Sequence, residues 1–495
     1  MATATLRLTW VQPEDLVGHE LRQAELDGRP AAQLRARWLA AGGHLAPPRA
    51  GASAAPADPA LRTLAGHLLD ELAALPHPRA ADEPTDLAAI RSAAPAWPSP
   101  TRDGRRTPAA LTEPLHAAWL GRAVGCVLGK PVEKMTLTGI RAVARATNNW
   151  PLHTWFTEVG LDADTARAHP WNRRSRPTCL AENIDGAPED DDLDYPLLGL
   201  LLLQRHGRGF TTADVAQTWL AELPAGRTFT AERIAYRNLL SGLEPPATAT
   251  HRNPFREWIG AQIRADVFGW TSPGDPATAA ELAHRDAVLS HTGNGVYGAM
   301  FTAATLALAA GGRADVHDCL RAGLSVLPAR SGLAEAVRFG IATARAEPGG
   351  DAAFERVVDR LHARYRRHHW VHVLPNAALV AAALTHADGD FSAAVCRVVS
   401  GGWDTDSNGA TVGSVAGLLA GTPEAIGRRW TAPLRNRLAT TVRGFDGVGF
   451  DVLARLTAEA AAPPGGETPT PRTRPADRHR PSPPARRLTD REGAR

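Results

Sequence analysis

Apolar residues recur at three- and four-residue spacing along most of this chain, and strict apolar/polar alternation is scarce. That pattern predicts amphipathic helices rather than half-buried strands. "PEDLVGHELRQAELDG" (Pro13–Gly28) and "PALRTLAGHLLDELAAL" (Pro59–Leu75) read as helices ahead of the main body. "TEPLHAAWLGRAVGCVLG", "TTADVAQTWLAELP", "FTAERIAYRNLLSG", "DPATAAELAHRDAVLSH", "GLAEAVRFGIATARAEP" and "PNAALVAAALTHADGD" continue the series, several with Thr or Asp where an N-cap belongs. "LRLTWV" (Leu6–Val11) is the one short strand predicted. Pro-rich, polar stretches divide the chain. The expected organisation is an N-terminal unit over 1–78, a Pro-rich linker over 79–110, a helical domain over 111–460 and a disordered Pro/Arg-rich tail over 461–495. The fold class is all-α, since no glycine-rich loop follows a buried strand as a Rossmann or P-loop fold requires.

Composition narrows the function. With 495 residues and 44% hydrophobic residues the chain can bury a large core. A net charge of +3 predicts neither nucleic-acid binding nor a membrane surface. "YPLLGLLLLQRHG" (Tyr195–Gly207) is too short to span a bilayer, and the N-terminus lacks an apolar signal core. The four cysteines, Cys126, Cys179, Cys319 and Cys396, are widely spaced with no CxxC pair, which suits a reducing cytosol. A soluble cytoplasmic protein is expected. Lys130 and Lys134 are the only lysines among many arginines, which reads as a codon bias rather than as chemistry.

Four clusters carry candidate chemistry. "GGWDTDSNGATVGSVAG" (Gly401–Gly417) places Asp404, Asp406 and Ser407 just before a helix striped by Gly409, Gly413 and Gly417. One aspartate is explained as an N-cap; two acids and a hydroxyl equally suit a hard cation such as Mg²⁺ or Mn²⁺. "GAPEDDDLDYPLLGLLLL" (Gly186–Leu202) sets Glu189, Asp190, Asp191 and Asp192 against a segment that must be buried. Adjacent carboxylates there repel unless a cation neutralises them, so the two acid clusters imply a shared metal site. "GRAVGCVLGKPVE" (Gly121–Glu133) repeats glycine at Gly121, Gly125 and Gly129, and delivers Glu133 just past a helix broken at Pro131. "SHTGNGVYGAMFTAATLALA" (Ser290–Ala309) carries Gly293, Asn294 and Gly295 ahead of a small-residue helix, either a plain turn or a phosphate-binding helix start.

Taken in chain order the clusters resemble the ADP-ribosylglycohydrolase family, with its G-D-x-x-G-x-x-x-E, S/T-D-D-T, G-N-G and late G-G-D-T-D-[ST] stretches, over roughly residues 111–445. The resemblance implies a compact, orthogonal all-α helical bundle and a site for two divalent ions, usually Mg²⁺, with Mn²⁺ as the alternative. It implies hydrolysis of the glycosidic bond between ADP-ribose and an acceptor, a modified protein side chain or a small molecule. By matching position, Asp404, Asp406 and Ser407 resemble the late metal-binding trio. Asp191 and Asp192 resemble the early aspartate pair, with Asp190 where Thr or Ser is usual. Glu133 resembles the proposed base or metal ligand. The sequence departs from the pattern at Cys126, which replaces an aspartate, at Leu193, which replaces a threonine, and at Trp403, which is inserted before Asp404.

The mechanism implied holds two ions about 3.5–4 Å apart between Asp190, Asp191 and Asp192 on one side and Asp404, Asp406 and Ser407 on the other. Glu133, Asp191 and Asp404 are the expected catalytic residues, with Glu133 orienting or deprotonating the attacking water. Gly293, Asn294 and Gly295 are assigned to the pyrophosphate, Asn408 with Gly409 to a second anion site, and His372 to the adenosine half. For His372 a structural role, and for Trp403 a core plug, are the readings favoured. Two alternatives remain: a non-catalytic ADP-ribose or nucleotide binder, and a hydrolase of another ribosyl small molecule. The N-terminal unit is a candidate docking module for a partner.

Overall fold

The computed structural model describes residues 6–47, 51–100 and 106–462. The expected disorder of the tail falls outside the described residues. Among those residues there is no strand, only isolated bridges. Leu6–Val11 is therefore not the short strand expected. Among the described residues no strand pairs with it, and Trp10 turns the chain at φ +64.

The helices follow the apolar periodicity, and their starts follow the capping chemistry. Thr211 and Asp214 form a reciprocal capping box for the helix Thr212–Glu222. Asp275 caps Pro276–Ala287 by accepting from the Thr278 N–H at 3.1 Å. Thr107 does the same for Pro108–Gly129, whose end at Gly129 passes into a single 3₁₀ turn, Lys130–Val132, carrying Pro131.

At the centre the helices Pro108–Gly129 and Thr405–Ala420 lie antiparallel, glycine stripe on glycine stripe. A Cβ added at Gly121, Gly125 or Gly129 would come closer than 3.0 Å to the backbone of Gly413, Gly409 or Thr405. The reciprocal holds for Gly409, Gly413 and Gly417, the last against Ala117. Only hydrogen side chains allow this approach, and two four-residue glycine repeats supply it along one face of each helix. Gly293–Gly311, Val373–Ala387, Phe391–Ser400 and Phe450–Ala460 pack around the pair. Trp119, Trp270 and Trp430 are fully buried among them.

The described residues up to Ala461 form one compact unit. Helix Pro13–Leu26 is held to the body through its polar face: Arg256 donates to Glu20 at 2.7 Å, and Gln23 donates to Glu257 at 3.3 Å. The stretch over 79–100 carries a short helix, Leu87–Ala93, and is fastened at Glu83, Pro84 and Thr85. Gly293 donates to Thr85 at 3.0 Å, Gly332 donates to Glu83 at 2.8 Å, and Tyr297 donates to the Pro84 carbonyl. A Pro-rich composition here marks a strap laid along the core, whose Glu83 and Thr85 side chains accept from the N–H groups of the helix starts beneath it.

Candidate active site

Antiparallel packing has a direct consequence for chemistry: the C-terminal end of Pro108–Gly129 lies beside the N-terminal end of Thr405–Ala420. Thr405 locks them together by donating from Oγ1 to the Gly129 carbonyl at 2.8 Å. A cleft of about 950 Å³ opens at this junction. Its floor carries Lys130, Glu133, Asp190, Asp191, Asp404, Asp406 and Ser407. Three separate sequence motifs are thus brought to one place. Asp192 lies just beneath the floor, 1% exposed, and is joined to Ser407, whose Oγ donates to Asp192 Oδ2 at 3.2 Å.

The choice between cap and ligand resolves differently in the two acid clusters. Asp190 is a true cap: its Oδ1 accepts from the Asp192 N–H at 3.0 Å. Its Oδ2 takes the Lys130 ammonium, and the Cys126 thiol donates to Oδ1 at 3.5 Å. Asp404 also stands at an N-cap, yet its side chain caps nothing. Its backbone N–H donates instead to Asn376 Oδ1 at 3.2 Å, which fixes the turn and leaves the carboxylate facing the cleft.

The electrostatics divide in the same way. Burial works to raise Asp190, but the Lys130 charge and its hydrogen bonds overcome this and hold the carboxyl below its usual range. Burial, reinforced by neighbouring carboxylates, pushes Asp191, Asp192 and Asp404 well up. Asp406 is pushed up to about 7 by burial and by Glu133 and Asp190, against the pull of Lys130. Arg122 offers little relief. It lies 3.6 Å from Asp192 Oδ1 but is shared with Asp266 at 3.0 Å and with the carbonyls of Asp192 and Ile263.

Glu133 stands at the edge of the floor, 17% exposed, with both oxygens held: Asn172 donates to Oε2 at 2.7 Å and Lys134 sits on Oε1 at 2.7 Å. The loop carrying Asn172 docks on the break after Gly129 through its own N–H to the Pro131 carbonyl, 3.0 Å. A rim of Lys134, Arg173, Arg174 and Arg227 surrounds the carboxylate floor, and Trp370, Phe229 and Trp10 supply aromatic wall.

Several residues expected in the site lie elsewhere. Gly293, Asn294 and Gly295 do not line the cleft. The Asn294 N–H donates to Glu257 Oε1 at 3.2 Å, its side-chain amide also reaches Glu257, and Gly293 donates to Thr85. This helix start already has an acceptor, the buried carboxyl of Glu257, which burial and then Asp27 and Glu83 push up to about 8. His372 is 1% exposed, and its Nδ1 accepts from the Leu374 N–H at 3.2 Å as a helix cap. Burial holds that imidazole well below its normal range, hence neutral. Asn408 is fully buried and donates to Asn376 Oδ1 at 2.7 Å. Trp403 stacks on His362, ring centroids 4.0 Å apart, and lies outside the cleft lining. Its φ is +59, so the chain turns there just ahead of Asp404.

Other site residues escaped the sequence reading. Both lysines of the chain are in the cleft, so their rarity was itself a signal: two positions keep lysine where arginine is otherwise universal. Asn376 and Asn172 carry no local motif, because each works through a contact distant in sequence. Thr9 and Trp10 form part of the wall, held there by Arg233 on Thr9 and by the Trp10 N–H to the Gly51 carbonyl at 2.6 Å. Glu232 also lines the cleft; burial pushes it up to about 7 against the opposing Arg264, which donates to it at 2.8 Å.

The floor fits a hard divalent cation. Asp191, Asp404, Asp406 and Ser407 offer oxygen donors only. Burial and neighbouring carboxylates push these carboxyls up beyond what Lys130 offsets, and Asp192 Oδ1 is buried with no hydrogen-bond partner. Asp192, Asp190 and Cys126 bring ligand-type atoms within 4.8 Å of one another. Among the described residues no helix is long and apolar enough to cross a membrane.

The family model described as ADP-ribosylglycohydrolase matches residues 107–463. Among solved structures, a chain titled "ADP-ribosylglycohydrolase-related protein complex" is similar at 18% identity and TM-score 0.44, covering 71% of this chain and 98% of that one. No curated protein matches. The family match covers most of the chain and spans every motif that converges on the cleft floor, and the chain belongs to the ADP-ribosylglycohydrolase family.

Proposed function

We propose that this protein is a divalent-metal-dependent hydrolase that cleaves the glycosidic bond between ADP-ribose and an acceptor, a modified protein side chain or a small molecule. One observation carries the reading: carboxylates from two helix starts, Asp191 and Asp404 with Asp406, share the floor of one cleft with Glu133. Asp191, Asp404, Asp406 and Ser407 would hold the cation, Mg²⁺ by its preference for oxygen ligands, with Mn²⁺ as an alternative. Such a cation, when bound, polarises substrate oxygens and makes water a better nucleophile near neutral pH.

The remaining work belongs to the chain's own side chains. Glu133, steadied by Asn172 and Lys134, takes the proton of the attacking water at a carboxylate oxygen. Its presence at the cleft favours a hydrolase over a binder. The floor's negative charge stabilises the positive charge that develops at the anomeric carbon as the acceptor departs. The rim of Lys134, Arg173, Arg174 and Arg227 draws in an anionic substrate and takes over the pyrophosphate role that the sequence assigned to Gly293–Gly295. In this reading residues 111–460 are the catalytic part, the strap over 79–110 braces them, and the 1–78 segment supplies cleft wall. A cytoplasmic location belongs to the same proposal.

Isothermal titration of ADP-ribose, first with Mg²⁺ and then with excess chelator, tests the reading. Metal-dependent binding, followed by release of ADP-ribose from an ADP-ribosylated acceptor, is expected. Absence of binding under both conditions would overturn it.

A further inference from the structure

Lys130 is the only ammonium set into the floor itself, and it is spent on one carboxylate. Its Nζ pairs with Asp190 Oδ2, with the side chain 11% exposed. Asp190 Oδ1 is taken by the Asp192 N–H and by the Cys126 thiol. Both oxygens of Asp190 are therefore engaged by protein donors, and a cation approaching it would have to displace an ammonium from a nearly dry site. The opposite half of the floor differs. Asp191, Asp404 and Asp406 face the cleft, and none forms an ion pair among the described residues.

The sequence change around Lys130 has the same sense. Against the motif G-D-x-x-G-x-x-x-E, this chain puts Cys126 where the motif has an aspartate, and places Lys130 at a variable position. One negative charge is removed and one positive charge is added. Asp190, standing where Thr or Ser is usual, returns one negative charge, so the net change is one positive charge, and it falls on the half of the site that Asp190 occupies.

We propose that this chain binds a single divalent cation, on the Asp191, Asp404 and Asp406 side of the floor, and that the Lys130 ammonium takes the place of a second. The proposal rests on the metal-dependent reading above. Asp190 becomes a positioning residue: it fixes the start of the Asp191–His206 helix and hence the direction of Asp191.

Mn²⁺ is the probe. Chelator-treated full-length protein is titrated with Mn²⁺ and the bound fraction is counted by equilibrium dialysis, with electron paramagnetic resonance on the same samples. One Mn²⁺ per chain, with the spectrum of an isolated ion, is expected. Two per chain with exchange coupling would overturn the single-cation assignment while leaving the metal-dependent reading intact. No bound Mn²⁺ would overturn both. A Cys126→Asp/Lys130→Ala double variant removes the ammonium and adds a carboxylate beside Asp190, and should gain a second, coupled Mn²⁺. A double variant that folds and still binds one ion would remove Lys130 from the role. Where that variant fails to fold, the count on the wild-type chain decides.

Discussion

Replacing Gly125 with alanine tests how the fold builds the site. In an exposed helix interior, Gly→Ala stabilises by about 1 kcal/mol, because alanine loses less backbone entropy on folding. Here the added methyl meets the Gly409 carbonyl and the Ala410 N–H of the facing helix. Those are backbone atoms in regular helix and have no rotamer to escape into. Overpacking of this kind costs typically 1–3 kcal/mol, and a backbone obstacle argues for the upper end. Subtracting the propensity gain leaves a net loss of roughly 2 kcal/mol. The helices must also part, which carries Asp404 and Asp406 away from Glu133. Misplacement by about 1 Å can cost on the order of 10²-fold in turnover. Urea unfolding followed by circular dichroism gives the first quantity, and Mn²⁺ affinity with hydrolysis rate gives the second. A Gly125→Ala protein as stable as wild type, with unchanged Mn²⁺ affinity, would refute the claim that the glycine seam positions the acids.

Further outcomes follow from the same geometry. Asp404→Asn should abolish Mg²⁺-dependent ADP-ribose binding while raising the Tm of metal-free protein, since it removes a carboxyl whose ionisation burial and the neighbouring carboxylates oppose; a lowered Tm would contradict the repulsion inferred here. Asp406 is held near pH 7 when folded but ionises close to pH 4 when unfolded. The folded chain keeps a proton that the unfolded chain has lost, so this stability is full below about pH 4 and fades as pH rises through about 7. Metal-free protein should therefore lose Tm between pH 5 and pH 8, and saturating Mg²⁺ should flatten that slope; a Tm that rises over this range would count against it. Glu133→Gln should bind ADP-ribose normally and lose about 10²–10⁴-fold in kcat, the usual range for a general base; full turnover would exclude it. Trp10→Ala should raise KM for the nucleotide substrate and leave the Mn²⁺ count unchanged, and an unaltered KM would dismiss Trp10 from the wall.

Helical periodicity, capping residues and the order of the acidic clusters are local properties, so the all-α class and the floor acids Asp191, Asp404 and Asp406 were legible in the sequence. The two glycine stripes were legible as well, each as a surface awaiting a close partner. That they are each other's partner was not, because a four-residue repeat states how near a neighbour can come without naming it. Only the antiparallel pairing put Glu133 beside Asp404. Helix starts misled for a related reason. Gly293–Asn294–Gly295 and Asp404 both read as N-termini open to a ligand, but the tertiary structure gave the first to Glu257 and left the second free. The acceptor at a helix start depends on what packs over it. Lys130, Asn172 and Asn376 act through contacts far along the chain, so no window around them reveals a role. The chain's own pattern determined which segments become helices and which carboxylates must find a counter-charge; the packing of those helices decided which carboxylates share one, because burial and separation are set by the fold.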